Sequence, residues 1–351
     1  MTVWLVGRRS AGRRQGGDQL QIEESAAFGR SRGYDVRVAV RASRVQPRRG
    51  DCVHLFNIQR SLDWGDLPER SASAGARLIV SPLFHPLTRY HSEGRRGLGR
   101  ALARVVPDAD QFGALRWGGR DAVVRANAVL SLAEQVLLSH SGEADLLARY
   151  LGRSLGPDQQ SVVPVAVPAV RSLGKDPTGG CVPVGDFLLC AGRVEPLKNS
   201  ALVGRVCAEL GLPLVFVGPG PGGRHLGYLR QSLHGATWLG PLPYSDLRQV
   251  MNAARVHVLA SWTEVVGRVS LEAALGGAAV VLSDVGFGPD YLGRDSEGVF
   301  LFEPGDAAGL REALLAAWAR GRDPESDLVS RVERRYTWDA VGPRLVEAWS
   351  A

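Results

Sequence analysis

Short apolar runs rich in Val and Leu recur from end to end of the chain, and most are followed by a stretch whose apolar residues return every three or four positions. That alternation predicts strands joined by helices, the pattern of an α/β protein with parallel sheets. In the first half the predicted strands are Val3 to Val6, Val36 to Val40, Val53 to Phe56, Leu78 to Ser81, Val136 to Ser139 and Val162 to Val165. Gly17 and Asp18 open a helix that ends near Gly33, and Ser141 is expected to cap another from Gly142 to Leu151, stopped by Gly152. Between His85 and Arg125 the pattern is less regular.

From Val167 to Val184 the periodicity lapses into Pro, Gly, Lys and Asp, as a linker would. It then restarts, with strands predicted at Phe187 to Ala191, Leu214 to Val217, Thr237 to Leu239, Val256 to Leu259, Ala279 to Leu282 and Val299 to Phe302. Helices are predicted from Asn199 to Leu210, Asp246 to Ala254 and Val269 to Leu275, with a last one after Trp338. The expected organisation is a domain over 1–168, a linker over 169–184, a second domain over 185–335, and a C-terminal helix over 336–351 that returns to the first. Both domains read as Rossmann-like and doubly wound, facing each other across a cleft where ligands of such folds bind.

Composition narrows the partners. The chain has 351 residues, long enough for two cores, and a net charge of +6. Residues 1–170 carry 24 Arg against 16 Asp and Glu, whereas residues 171–351 are slightly acidic. A basic half suits an anionic ligand or a membrane surface; its scattered arginines lack the spacing of nucleic-acid-binding motifs. No apolar run approaches eighteen residues, so the expected location is cytoplasmic, with peripheral contact at the inner membrane face left open. Four cysteines without CxxC spacing read as reduced, buried thiols. Only two of the 42 basic residues, Lys175 and Lys198, are lysines.

Three segments carry chemistry. SWTEVVGRVSLEAALGG at 261–277 places Glu264 and Glu272 across a strand-to-helix turn. Gly267 permits close backbone approach there, the amides of Gly267, Arg268 and Val269 open a helix whose positive end suits an anion, and carboxylates accept paired hydrogen bonds from vicinal diols. CAGRVEPLKNS at 190–200 follows the first strand of the second half and presents Arg193 and Lys198, a cation pair suited to an anionic group. GRRSAGRRQGGD at 7–18 is a long loop ending in Gly16 and Gly17 at a helix start.

These segments resemble the retaining family 4 glycosyltransferases, the group 1 glycosyl transferases of GT-B fold. Weaker matches at 51–57, 136–147, 214–221, 302–306 and 334–341 spread the resemblance over nearly the whole chain. It implies that Glu264 binds hydroxyls of a donor sugar, Glu272 the ribose of the nucleotide, and Arg193 and Lys198 the diphosphate. Val266, Gly267, Arg268 and Val269 would line the donor site, Gly16 and Gly17 the cleft near phosphate and acceptor, and Leu242 the base. Val265 and Val266 stand where Gly and an aromatic are common, which leaves the sugar open. The implied reaction moves a hexose-type sugar from a nucleotide diphosphate, a UDP-sugar or alternatively a GDP-sugar, to an acceptor hydroxyl with retention and without metal or cofactor. The acceptor is a small molecule, a lipid-linked group or a glycan, and an anionic one suits the basic half. Two other readings stay open: a nucleotide-sugar epimerase of the same architecture and a non-catalytic, transferase-derived binding protein.

Other signals count for less. Gly218, Gly220 and Gly223 spell a dinucleotide fingerprint, but Pro219 and Pro221 stiffen it and no acidic residue ends the next strand. Asp108, Ala109 and Asp110 form a DxD triplet preceded by helical rather than strand spacing. Members of the resembled family often place a His at an N-domain strand end; His85 falls four residues past such an end, and His54 reads equally as a buried, hydrogen-bonded residue. The segment from Arg89 to Arg104, five Arg around a small apolar stripe, reads as a helix packed on its own domain or as a basic helix lying on anionic lipid.

Overall fold

A computed structural model describes residues 1–7, 17–95, 119–169, 182–220, 228 and 233–350. The DxD triplet, Gly16, Gly223, most of the linker and the apolar stripe after Arg95 lie outside these residues. The chain divides into two compact units, one of 1–88, 103–166 and 338–351, the other of 89–102 and 167–337.

The first unit is built on β1 (Thr2–Val6), β2 (Asp35–Ala39), β3 (Cys52–Phe56), β4 (Arg77–Ser81), β5 (Gln135–Leu138) and β6 (Gln160–Val162), a parallel sheet in the order β2-β1-β3-β4-β5-β6. Its helices are α1 (Gly17–Ser31), α2 (Leu67–Ser73), α3 (Gly119–Leu132) and α4 (Glu143–Leu151). The inner strands β3 and β4 are buried on both faces because both faces are covered. Val53 and Leu55 of β3 enter one core with Trp64, Val129 and Leu147, while Cys52 and Phe56 enter another with Ile22, Leu345 and Trp349.

In the second unit β7 (Leu188–Ala191), β8 (Leu214–Val217), β9 (Thr237–Trp238), β10 (Val256–Leu259), β11 (Ala279–Ser283) and β12 (Val299–Phe302) form a parallel sheet in the order β12-β11-β10-β7-β8-β9. Around them run α5 (Ser200–Leu210), α6 (Tyr244–Ala253), α7 (Arg268–Leu275), α8 (Gly288–Leu292), α9 (Ala307–Arg320) and α10 (Asp327–Tyr336). The last helix, α11 (Trp338–Ser350), belongs to the first unit. There Trp338 stacks on Phe28 of α1 at 5.7 Å, and Trp349 is fully buried.

Three expectations need correction. Pairing of β6 ends at Val162 rather than Val165, because Pro164 brings no N–H to a ladder. Ser141 does not cap α4; Gly142 occupies that position, and the Glu143 carboxylate instead accepts from the Ser139 amide at 2.7 Å and its hydroxyl at 2.8 Å. The irregular stretch before Arg125 already contains α3, whose buried face of Ala122, Ala126, Val129 and Leu130 is too small in side chain to stand out among arginines.

Candidate donor site

The strand order of the second sheet reverses between β7 and β10, since β8 lies to one side of β7 and β10 to the other. In a doubly wound sheet ligands bind outside the carboxyl ends of the strands at that reversal. The segments leaving there are 192–199 after β7 and 260–267 after β10, the two stretches that carry Arg193, Lys198 and Glu264.

The two loops are joined by backbone and by charge. Trp262 N–H donates to Leu197 C=O at 2.9 Å, and Lys198 Nζ, at the end of a single 3₁₀ turn, donates to Glu264 Oε1. Ser261 Oγ donates to the same oxygen at 2.8 Å, and Ser283 Oγ of β11 holds the Ser261 carbonyl at 2.6 Å. Lys198 and Glu264 are about one-fifth exposed, 20% and 17%, enough for both to meet a ligand while water screens them poorly. Arg193 pairs with Glu195 at 3.1 Å. Each cation of the loop after β7 therefore rests on a carboxylate.

The loop after β10 then turns into α7. Gly267 caps the helix at φ +75°, a left-handed conformation natural to glycine, and a Cβ there would meet Leu259 Cδ2 at 2.7 Å. Val266 is buried, and the Val265 carbonyl accepts from Phe287 N–H at 2.7 Å. Arg268 and Glu272 face each other one turn apart, Nε to Oε1 at 2.9 Å, with side chains 8% and 2% exposed. Tyr244 Oη, from the first turn of α6, donates to the same Glu272 oxygen at 2.7 Å. Burial, and then the Glu272 charge, hold the Tyr244 hydroxyl well above its ordinary range, so it is a neutral donor. Leu242 and Val269 each pack against the core that includes Val215, Val217 and Leu189.

Behind the loops the chemistry is inert. Burial pushes the Cys190 thiol at the end of β7 up to about 12, so no thiolate is offered. His257 of β10 is fully buried, 3.1 Å from Ser270 Oγ beneath α7, and burial lowers it to about 4. Gly218 is a close-approach position rather than a phosphate turn: at φ +134°, a Cβ there would lie 2.1 Å from the Gly192 carbonyl oxygen.

The first-unit candidates are placed differently. Gly17 is the first residue of α1 and exposed. His54 is fully buried: Trp349 Nε1 donates to its Nδ1 at 3.2 Å, which leaves Nε2 to donate to Ser81 Oγ at 2.8 Å. Of the two readings for this histidine, the buried, hydrogen-bonded one is the arrangement found. His85 is half-buried in the loop after β4, its Nδ1 3.2 Å from the Leu83 carbonyl. Sequence reasoning missed Ser261, Tyr244 and Ser283, which orient the two glutamates. Ser261 begins the quoted motif and could have been read as a partner of Glu264; Tyr244 and Ser283 come from other segments and leave no local signal.

Among the described residues no three His, Cys, Asp or Glu cluster as a metal site, and no helix is long and apolar enough to cross a membrane. Residues 185–320 match the family model described as Glycosyl transferases group 1. The phosphatidylinositol N-acetylglucosaminyltransferase GPI3 subunit of Saccharomyces cerevisiae is 26% identical over 230 residues, 61% of this chain and 50% of the relative. The chain thus spans about half the length of that relative. Among solved structures, sucrose-phosphate synthase from Thermosynechococcus elongatus superposes with a TM-score of 0.72 at 16% identity, covering 100% of this chain and 98% of that one. Anabaena HepE, solved in complex with UDP and glucose, superposes with a TM-score of 0.67 at 15% identity, covering 100% and 99%.

Proposed function

Residues 185–320 being a glycosyl transferases group 1 domain, on a chain of GT-B fold, we propose that the protein is a retaining glycosyltransferase that moves a hexose-type sugar from a nucleotide diphosphate to an acceptor hydroxyl. The observation that carries this reading is the junction of the two loops at the strand reversal, where Lys198, Glu264 and Ser261 converge although Lys198 and Glu264 are 66 positions apart in sequence.

Lys198 and Glu264 neutralise each other. A nucleotide sugar would part them: its diphosphate takes the ammonium, and its hydroxyl pair takes the carboxylate that Ser261 keeps oriented. Arg193 and the amides that open α7 add positive potential as charge builds on the leaving phosphate. Glu272, with Oε1 already fixed by Arg268 and Tyr244, presents its other oxygen to the ribose diol. The bond between the sugar carbon and the phosphate oxygen breaks, the acceptor oxygen bonds to the same face, and its proton passes to the departing phosphate. Neither an enzymic nucleophile nor a metal ion is required by this scheme.

An anionic acceptor fits the first 170 residues with their 24 arginines, and the yeast relative is named for a phosphatidylinositol. Peripheral contact with a membrane belongs to the same reading. The test is release of nucleoside diphosphate from UDP-glucose or GDP-mannose with inositol phosphate or phosphatidylinositol vesicles as acceptor. Product formation that needs the acceptor and survives excess EDTA supports the reading. Conversion of the donor alone into an epimer overturns it.

A further inference from the structure

Arg248 stands in the second turn of α6, four residues after Tyr244 and therefore on the same helix face. It is 1% exposed, and none of its three guanidinium nitrogens has a hydrogen-bond partner among the described residues. A guanidinium does not lose its charge inside a protein, and a buried charge without acceptors is among the costliest features a fold can carry. Such a group becomes compensated when a ligand brings acceptor atoms to it.

The neighbourhood indicates which part of a ligand that is. Tyr244, Arg268 and Glu272 are already joined, and the Tyr244 hydroxyl feels the positive charge of both Arg268 and Arg248. This buried cluster therefore holds two guanidinium groups and one carboxylate. Helical side chains lean toward the N-terminus of their helix, so Arg248 leans toward Tyr244, whose hydroxyl feels its charge. The next step rests on the donor reading above. With the diphosphate at Lys198 and α7 and the ribose at Glu272, the remaining part of the nucleotide falls on the α6 side.

We propose that Arg248 reads the base of the donor nucleotide and selects bases that present a ring carbonyl, namely uracil, thymine or guanine, over adenine. The guanidinium is a donor only. It matches the O4 of a pyrimidine or the O6 and N7 of guanine, whereas the amino group of adenine would set donor against donor. A phosphate contact would satisfy the same charge, and the experiment separates the two.

Calorimetric titration with UDP, GDP, ADP and inorganic pyrophosphate, together with thermal unfolding without ligand, is run on the native protein, Arg248→Met and Arg248→Gln. The native protein is expected to bind UDP or GDP at least about tenfold more tightly than ADP. Arg248→Met brings that ratio close to one and melts no lower than the native protein, because the uncompensated charge has gone. Arg248→Gln, whose amide can match the N6 and N7 of adenine, moves the ratio toward ADP. An unchanged ratio in both variants overturns the inference and leaves the donor reading standing, the more so if Arg248→Met melts lower, as a structural arginine requires. Loss of pyrophosphate binding equal to the loss of UDP binding assigns Arg248 to phosphate and overturns the base assignment. A native protein that binds no nucleotide overturns the donor reading itself, and this inference falls with it.

Discussion

At the carboxyl ends of β7 and β10 the second unit holds ionic groups that are paired and partly open, whereas His54 and Glu143 of the first unit are single titratable groups fully enclosed in its core. At the carboxyl ends of β7 and β10, Lys198 rests on Glu264 and Arg193 on Glu195, with side chains 17–34% exposed. In the first unit, His54 lies between Trp349 and Ser81, and Glu143 accepts from the Phe84 amide at 2.6 Å and from Ser139, both residues 0% exposed. Burial lowers His54 to about 3 and raises Glu143 to about 7. Pairs of opposite charge near the surface can be exchanged for a ligand's charges at small cost. Enclosed neutral groups cannot, so they fix the fold and respond only to pH.

The largest expected effect falls on Glu272, the most deeply buried member of the second unit's pairs. Glu272→Ala would leave Arg268 buried without its carboxylate, and breaking such a pair costs about 3–5 kcal/mol. Urea unfolding measures this. A variant as stable as the native chain would mean that Arg268 finds another acceptor at no cost.

Lys198→Ala comes next and should separate function from stability. Its pair with Glu264 is partly exposed and Ser261 still donates to the carboxylate left behind, so stability falls by less than in Glu272→Ala, while turnover falls about a hundredfold or more, as when a donor to a developing oxyanion is removed. Full activity in this variant would remove the residue from the mechanism.

The enclosed groups make a smaller prediction, with signs that oppose each other. The unfolded chain protonates His54 and His257 below about 6.5 while the folded chain refuses the proton down to about 3 and 4, so stability is lost as pH falls through this range. Each contributes about 1.4 kcal/mol per pH unit. Glu143 acts the other way: its unfolded carboxyl ionises from about 4.5 while the folded one stays protonated to about 7, so rising pH costs stability between those values. Two histidines outweigh one carboxyl, and from these three groups the midpoint of urea unfolding should fall between pH 6.5 and 4.5. His54→Phe should remove about half of the histidine slope. An undiminished slope would place the acid sensitivity elsewhere.

The smallest expected effect is none: excess EDTA should leave sugar transfer unchanged, and a strict Mg²⁺ requirement would return attention to Asp108 and Asp110.

Most strands were legible in the sequence because a parallel strand covered on both faces is a continuous apolar run, and Leu214–Val217, Val256–Leu259 and Val299–Phe302 coincide with their predicted ends. Strand order was not legible, since it depends on which crossover goes left or right, and that order brings the ends of β7 and β10 side by side. Glu264, Glu272, Arg193 and Lys198, the proposed donor-site residues, stand in local motifs of the sequence. Tyr244, Ser283 and the burial of Arg248 could not be read locally, because each depends on a neighbour brought from another segment, whereas Ser261 stands three residues before its partner Glu264 in the same motif. Helices α9 and α10 were also unpredicted. Asp306, which accepts from Ala308 N–H at 2.9 Å, caps α9, a local signal that lies inside the weaker family match at 302–306.

The central claim is that the loops after β7 and β10 together form a nucleotide-diphosphate site. Its most direct test is a thermal-shift titration of the native protein and Lys198→Ala with UDP and GDP. At a hundred times its dissociation constant, a bound nucleotide should stabilise the native protein by about 2.7 kcal/mol. The account predicts a shift with one of the two nucleotides that Lys198→Ala loses in large part. A folded native protein that neither nucleotide stabilises, or a variant that shifts as the native protein does, would contradict it.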